Sequence, residues 1–129
     1  MSTWRAVFAL AVVVAASTLL LLRGQPQAAA QAQGPTVRPW MVTASRYQFD
    51  PPRIEVFQDD LVRIELRTDD IAHSMTIDAY RIAKRVNPGQ SVTFEFRADR
   101  PGTFPFYCNL QIDEGCRRMR GELVVKPRK

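Results

Sequence analysis

The chain has 129 residues, of which 46% are hydrophobic, 24% charged and 9% aromatic, a globular balance that excludes wholesale disorder and a fibrous fold. Its net charge of +5 rests on no run of Lys or Arg longer than two, which argues against nucleic acid as a partner. Two cysteines cannot build a disulfide-rich scaffold, and a single histidine excludes any site that needs two imidazoles.

At the N-terminus, Arg5 precedes an uncharged apolar run from Ala6 to Leu22, and Arg23 closes it. The run matches in length both a long secretory core and a short membrane span. Small residues, including Ala28-Ala29-Ala30, follow the break at Pro26 and favour a cleaved leader. Residues 1–30 are therefore expected to be a signal peptide or membrane anchor, with the apolar run as an N-terminal hydrophobic helix. Both forms export the remainder, which is expected to be periplasmic or secreted, and membrane-anchored only if residues 6–22 are retained. No cysteine lies near the cleavage region, so a lipoprotein anchor is excluded. Removing residues 1–30 takes away Arg5 and Arg23 but no acidic residue, so the exported part is less basic than the whole. In an oxidising compartment a pair of thiols is either oxidised or bound to something.

Residues 31–36 read as a flexible linker and residues 37–129 as one domain. Beyond Val37 the hydrophobic period is two. Val62, Ile64 and Leu66 alternate with Arg63, Glu65 and Arg67, and Val92, Phe94 and Phe96 alternate with Thr93 and Glu95. Met75 and Ile77 flank Thr76, Phe104 and Phe106 flank Pro105, and Leu123 and Val125 close the chain. Asp50-Pro51-Pro52, Asp59-Asp60, Asn87-Pro88-Gly89 and Arg100-Pro101-Gly102 mark turns between the rows. No helical repeat stands out. The expected fold is all-β, an antiparallel sandwich of about seven strands. Pro105 places its strand at an edge or a bulge, and Met41 and Met75 read as core or near-core.

Two polar residues continue the buried rows. His73 shares the parity of Met75 and Ile77 at the start of one strand, and Cys108 that of Phe104 and Phe106 at the end of another. If those strands run antiparallel, imidazole and thiol meet at one pole, beneath a loop 109–118 that carries Cys116, with Met119 just beyond. His73, Cys108, Cys116 and Met119 gather every His and Cys of the chain with one thioether. Soft sulfur donors with one imidazole suit copper, Cu(I) above all.

Tyr47-Gln-Phe-Asp-Pro-Pro-Arg-Ile-Glu-Val, Asp60-Leu-Val-Arg-Ile, His73-Ser-Met, Asn87-Pro-Gly-Gln, Pro101-Gly-Thr-Phe-Pro-Phe-Tyr-Cys108 and Met119-Arg-Gly-Glu-Leu-Val-Val stand in an order that resembles the cupredoxins. The nearest branch is the copper domain of cytochrome oxidase subunit II and nitrous oxide reductase, with related exported domains. The resemblance covers about residues 37–126 and implies a Greek-key β-sandwich with a metal site under the loops at one end. It implies that His73 is the first histidine ligand, Cys108 the cysteine ligand and Met119 the methionine ligand. In the two-copper branch a second cysteine follows the first by four residues, a histidine by eight and a methionine by eleven. Here those places hold Ile112, Cys116 and Met119. Ile112 removes a bridging thiolate and rules out the two-copper centre, and the lone His73 rules out an ordinary mononuclear blue site without an outside ligand.

Two functional readings follow. One is an exported domain holding a single copper ion, Cu(I) favoured, through His73, Cys108, Cys116 and Met119, for electron transfer or copper handling, served by a redox or copper-donor protein. The other is a metal-free interaction module in which Cys108 and Cys116 form a disulfide, a link across a short loop that adds under about 3 kcal/mol. Arg117, Arg118 and Arg120 form either a basic patch that steers an acidic partner or a solvated loop. Trp40 and Tyr47 either flank electron transfer or pack. No catalytic triad, nucleophile elbow or phosphate-binding glycine loop is present, so an enzyme is not expected.

Overall fold

A computed structural model describes residues 36–129, and the alternating rows become strands within it. The leader or anchor, its apolar helix and nearly all of the 31–36 linker lie outside the described residues. Among the described residues nine strands form, where about seven were expected: β1 Val37–Ser45, β2 Gln48–Asp50, β3 Arg53–Phe57, β4 Leu61–Thr68, β5 His73–Ile77, β6 Ile82–Val86, β7 Gln90–Arg97, β8 Gly102–Tyr107 and β9 Arg120–Lys126. A 3-10 turn occupies Asp78–Tyr80, and one short helix, α1, covers Glu114–Arg118. Among the described residues no helix is long and apolar enough to cross a membrane.

The strands make two sheets, β2-β1-β4-β7 and β3-β9-β8-β5-β6. Antiparallel pairing dominates, but β1 runs parallel to β4 and β3 parallel to β9, so the sandwich is mixed rather than antiparallel throughout. The cause is connectivity. After the β1–β2 hairpin the chain crosses to the second sheet as β3 and returns as β4 in the direction of β1, and a strand regained through a crossover can be parallel.

The inner faces close over a core whose residues follow the predicted parity. Val62, Ile64 and Leu66 of β4 are buried, as are Met75 and Ile77 of β5, Phe106 of β8, and Leu123 and Val125 of β9. Two expectations need correction. Met41 is exposed, because Val42 and Ala44 take the inward parity of β1 and turn it to the outer face. The strand of Pro105, β8, is not an edge strand but stands between β9 and β5, although Pro105 itself is paired with β9 alone. Proline has no N–H to give a neighbour, and the register of β8 with β5 is confined to Thr76↔Tyr107, while its pairing with β9 runs from Gly102 to Tyr107.

At the pole where β4 begins, Asp60 is wholly buried. Its carboxylate accepts from the Phe57 N–H (3.0 Å) and pairs with Arg38 (3.3 Å) and Arg128. These contacts tie the first and last segments of the domain to the β3–β4 turn. Because both arginines are half-exposed, the charge without an easy alternative is the acid. Removing both arginines, Arg38→Ala with Arg128→Ala, strands a buried carboxylate and should cost about 3–5 kcal/mol. Asp60→Asn keeps an acceptor for Phe57 N–H and should cost less, about 1–2 kcal/mol. Denaturant midpoints of the two variants check this order.

A second prediction concerns Gly121, paired with Phe106 across β8 and β9. A Cβ there would run into the fully buried Phe106 ring and stand 2.8 Å from the Pro52 carbonyl oxygen. Gly121→Ala should therefore lower stability by about 1–3 kcal/mol through overpacking, read as a fall in melting temperature.

Candidate functional site

His73 begins β5 directly after the β4–β5 turn, and that turn is organised around one carboxylate. Asp70 accepts from the backbone N–H of Arg46 (2.7 Å) and of Ile71 (2.6 Å) and from the Thr68 hydroxyl (2.9 Å). It also lies 2.9 Å from His73 Nε2. Burial pushes the Asp70 carboxyl up, but the Ile71 and Arg46 amides, with His73 and Thr68, outweigh it and hold the group well below the usual carboxylate range. An ionised carboxylate can only accept, so Nε2, which faces it, carries a proton, and in the neutral form of the ring Nδ1 is then the nitrogen with a lone pair. His73 is wholly buried, and Nδ1 has no hydrogen-bond partner. A buried imidazole fixed by a carboxylate on one nitrogen and bare on the other is the arrangement in which histidine serves as a metal ligand.

The other three predicted residues lie on the segment from Cys108 to Met119, which links β8 to β9. Asp113 caps α1 by accepting from the Cys116 N–H at 2.8 Å, and Arg117 pairs with Glu114 one turn apart at 2.9 Å. This single turn was missed because five residues carry too little periodicity to register. It carries Cys116 inward to full burial, and Met119 follows, its N–H donating to the Cys116 carbonyl at 3.1 Å. The ring of Tyr47 lies against Gly115, where a Cβ would collide with it. Tyr47 thus packs on the loop, as its second reading held.

All four predicted residues are buried at the end of the second sheet where β5 and β9 begin and β8 ends. The expected antiparallel meeting of the two strands is present, since β5 and β8 are antiparallel neighbours. Cys108 and Cys116 are joined to each other as a disulfide, with Cα atoms 5.3 Å apart, as the second reading expected. Ser74 ties the two segments together. Its oxygen accepts from the Asn109 N–H (2.8 Å), lies 2.6 Å from Asn109 Oδ1 and stands 3.7 Å from Cys108 Sγ. Asp70, Ser74 and Asn109 were missed as site residues. An acid three positions before the sole histidine was the available signal for Asp70; nothing but adjacency to His73 and Cys108 marked the other two.

An open groove of about 410 Å³ borders the disulfide, lined by Tyr107, Cys108, Asn109, Leu110, Arg117 and Arg120 among others. The Arg120 guanidinium lies 5.1 Å from the Tyr107 ring, and the Tyr107 hydroxyl donates to the Asp78 carboxylate, which pushes that phenol's pKa up. Arg117 is held by Glu114 and Gln111. Two of the three basic residues around the loop are therefore engaged within the domain. Ile112, at the place of the missing bridging cysteine, is exposed.

The chemistry of this end depends on the sulfurs. Bonded to each other, they carry no thiolate charge, and the remaining donors are His73 Nδ1 and the Met119 thioether. That pair is too small a set for a stable copper site. Consistently, no group of three or more His, Cys, Asp or Glu side chains among the described residues is arranged to hold a metal ion. Opened to the dithiol, the same residues offer two sulfurs, an imidazole and a thioether, a soft set that fits Cu(I). The fit is conditional on reduction.

Known proteins place the domain. The chain is 29% identical over 101 residues to cytochrome c oxidase subunit 2 of Thermus thermophilus, covering 78% of this chain and 75% of that protein. In fold it is similar to a chain of a heme-copper terminal oxidase dimer, with a TM-score of 0.62 and 18% identity over 89% of this chain and 86% of the other. It is also similar to a chain in the mixed-disulfide intermediate between a thioredoxin-like protein and subunit II of cytochrome c oxidase, with a TM-score of 0.59 and 15% identity over 69% and 81% of the two chains. The cupredoxin-like domain family matches residues 9–125. With that match over most of the chain and the two-sheet sandwich in place, this chain belongs to the cupredoxin-like domain family.

Proposed function

We propose that this is an exported domain that binds one copper ion, Cu(I) in preference, through His73, Cys108, Cys116 and Met119, and that the Cys108–Cys116 disulfide is its closed, metal-free form. The observation that carries this reading is the buried, unpartnered Nδ1 of His73, with its ring oriented by Asp70 through Nε2. An orphaned polar atom costs stability wherever it stands, so its survival at full burial favours a ligand that meets it. The heme-copper oxidase and the cytochrome oxidase subunit 2 among its relatives support copper as that ligand.

Within this reading each residue has a defined task. Asp70 holds the His73 proton on Nε2 and leaves Nδ1 free. Cys108 and Cys116, once reduced and deprotonated, supply the charge that matches the ion. Met119 adds a soft thioether from the end of the same loop. Copper, when held, supplies either a one-electron couple or a cargo for transfer. Two sulfur ligands favour Cu(I) and so favour copper handling over fast redox cycling. Opening the site requires a thiol reductant, and the mixed disulfide formed by a subunit II relative with a thioredoxin-like protein supports a partner of that class. The domain acts as a carrier and not as an enzyme.

A second reading rests on the disulfide itself: a metal-free interaction module with the Cys108–Cys116 link as a permanent staple. Anaerobic titration with Cu(I) in the presence of a chromophoric competitor separates the two. Reduced wild type should retain one copper, while the oxidised form, Cys116→Ser and His73→Ala should each lose at least tenfold in affinity. Equal copper content in all of them would end the copper reading and leave the module.

The pH dependence has a defined sign. Thiols and imidazole must give up protons to bind, so affinity of the reduced protein should fall as pH is lowered from 8 to about 5. Competition titrations across that range check it, and a flat profile would remove the thiolates and His73 from the coordination.

A further inference from the structure

Neither half of the disulfide is open to a reductant in the folded domain: Cys116 is wholly buried and Cys108 is 2% exposed. A thiolate must touch one sulfur to break the bond, so exchange at this pair requires something to move first. The element that carries Cys116 is α1, and its polar ties turn inward on its own segment. Asp113 caps it, Arg117 pairs with Glu114 and reaches Gln111, and the Met119 N–H donates to the Cys116 carbonyl. Among the described residues no hydrogen bond or ion pair joins Glu114–Arg118 to another part of the domain. What holds α1 from outside is packing. The Tyr47 ring lies on Gly115 so closely that a Cβ there would collide with it. The base of that ring is firm, because the Arg46 N–H beside it is bound to Asp70 at 2.7 Å. The ring itself is 45% exposed and stands at an open crevice of about 460 Å³ lined also by Asp113, Glu114 and Arg118, so ring and helical turn have room to part.

We propose that Tyr47 is the latch of the disulfide: its ring, fixed over Gly115 by the β1–β2 turn, keeps α1 seated, and a thiol reductant reaches the Cys108–Cys116 pair when α1 leaves the ring. The proposal rests on the reading that the disulfide opens, but involves no metal. The reaction is a two-electron exchange with a dithiol. One sulfur of the reductant attacks the pair, the bond between Cys108 and Cys116 breaks, and the sulfur that leaves takes up a proton. The second sulfur of the reductant then attacks the mixed disulfide, closes the reductant's own disulfide and releases the other cysteine as a thiol. Tyr47 takes no part in that chemistry. It is a positioning residue that sets how often the pair is open, through a local opening that leaves the rest of the sandwich closed.

The contact is made by ring carbons and not by the hydroxyl. Tyr47→Ala should therefore speed reduction about tenfold, the scale of one aromatic packing contact, while Tyr47→Phe should stay within about twofold of wild type. Gly115→Ala pushes the ring away from the other side and should also speed reduction by roughly tenfold. Added to Tyr47→Ala it should change the rate by less than about twofold, because the clash needs both partners. A merely structural role predicts something else, namely that the rate follows overall stability wherever the lesion lies. Asp60→Asn tests this, since it weakens the domain at the opposite pole and should leave the rate within about twofold of wild type.

The full oxidised chain, metal-free in the presence of a chelator, is mixed anaerobically with excess dithiothreitol at one fixed pH without denaturant. Samples are quenched with a maleimide over time and the thiols counted by mass, with denaturant midpoints measured alongside. Faster reduction in Tyr47→Ala, with Tyr47→Phe and Asp60→Asn near wild type, establishes the latch. A Tyr47→Ala rate within twofold of wild type overturns it, and the thiol then enters by the groove that borders Cys108. Equal acceleration in Tyr47→Ala and Asp60→Asn also overturns it, because exchange then passes through global unfolding. Should Tyr47→Ala fail to fold, Gly115→Ala against Asp60→Asn decides by the same two criteria. Because no copper is present, a failed copper titration leaves this result standing, and an unchanged rate ends the Tyr47 role whatever copper does.

Discussion

Two sulfur atoms that share a covalent bond have no charge to offer a metal, and the same two atoms separated are among the softest ligands a protein can present. Cys108 and Cys116 are in the first condition here. Every other feature of this end of the sandwich takes its meaning from that bond. His73 Nδ1 is buried without a hydrogen-bond partner, and in the proposed reading it is a ligand only when the dithiol is open. Met119 is a buried side chain whichever state the sulfurs are in, and its thioether is a donor only in the proposed reading. The Ser74 hydroxyl lies 2.6 Å from Asn109 Oδ1 and 3.7 Å from Cys108 Sγ.

The surroundings hold these groups in place through two loops that share a third segment. The Arg46 N–H binds Asp70, whose carboxylate orients His73, and the neighbouring Tyr47 ring lies over Gly115 in the helical turn that carries Cys116. The β1–β2 turn therefore touches both the histidine side and the cysteine side. At the pole where β4 begins, the buried Asp60 with Arg38 and Arg128 secures the two ends of the domain. One pole is stabilised by a charge that stays paired, the other by groups whose pairing is incomplete.

The fold was largely legible because a half-buried strand writes its burial into a period of two. The β4 row of Val62, Ile64 and Leu66 and the β5 row of Met75 and Ile77 are buried as their parity requires. The number of strands and their directions were less so. β2 has three residues, too few to show a period, and the parallel β1–β4 and β3–β9 pairs depend on a crossing between sheets that no local pattern records. Met41 failed because its apolar side chain says nothing of parity; Val42 and Ala44 beside it decide the inward face. Pro105 marks a place in β8 paired with β9 alone, but a missing N–H does not reveal that β5 joins the same strand at Tyr107.

For the site, residue type and spacing alone determined which atoms are chemically able to act: one imidazole, two sulfurs and a thioether, close enough along the chain and in parity to share one pole. Tertiary structure decided what those atoms are doing. It paired the sulfurs, placed Asp70 on Nε2, left Nδ1 bare and put the Ser74 hydroxyl between Asn109 and Cys108. The physical reason is range. Burial parity is a property of neighbours in sequence, whereas a disulfide and the hydrogen bonds of a buried side chain depend on distances of a few ångströms between segments that only the closed sandwich brings together.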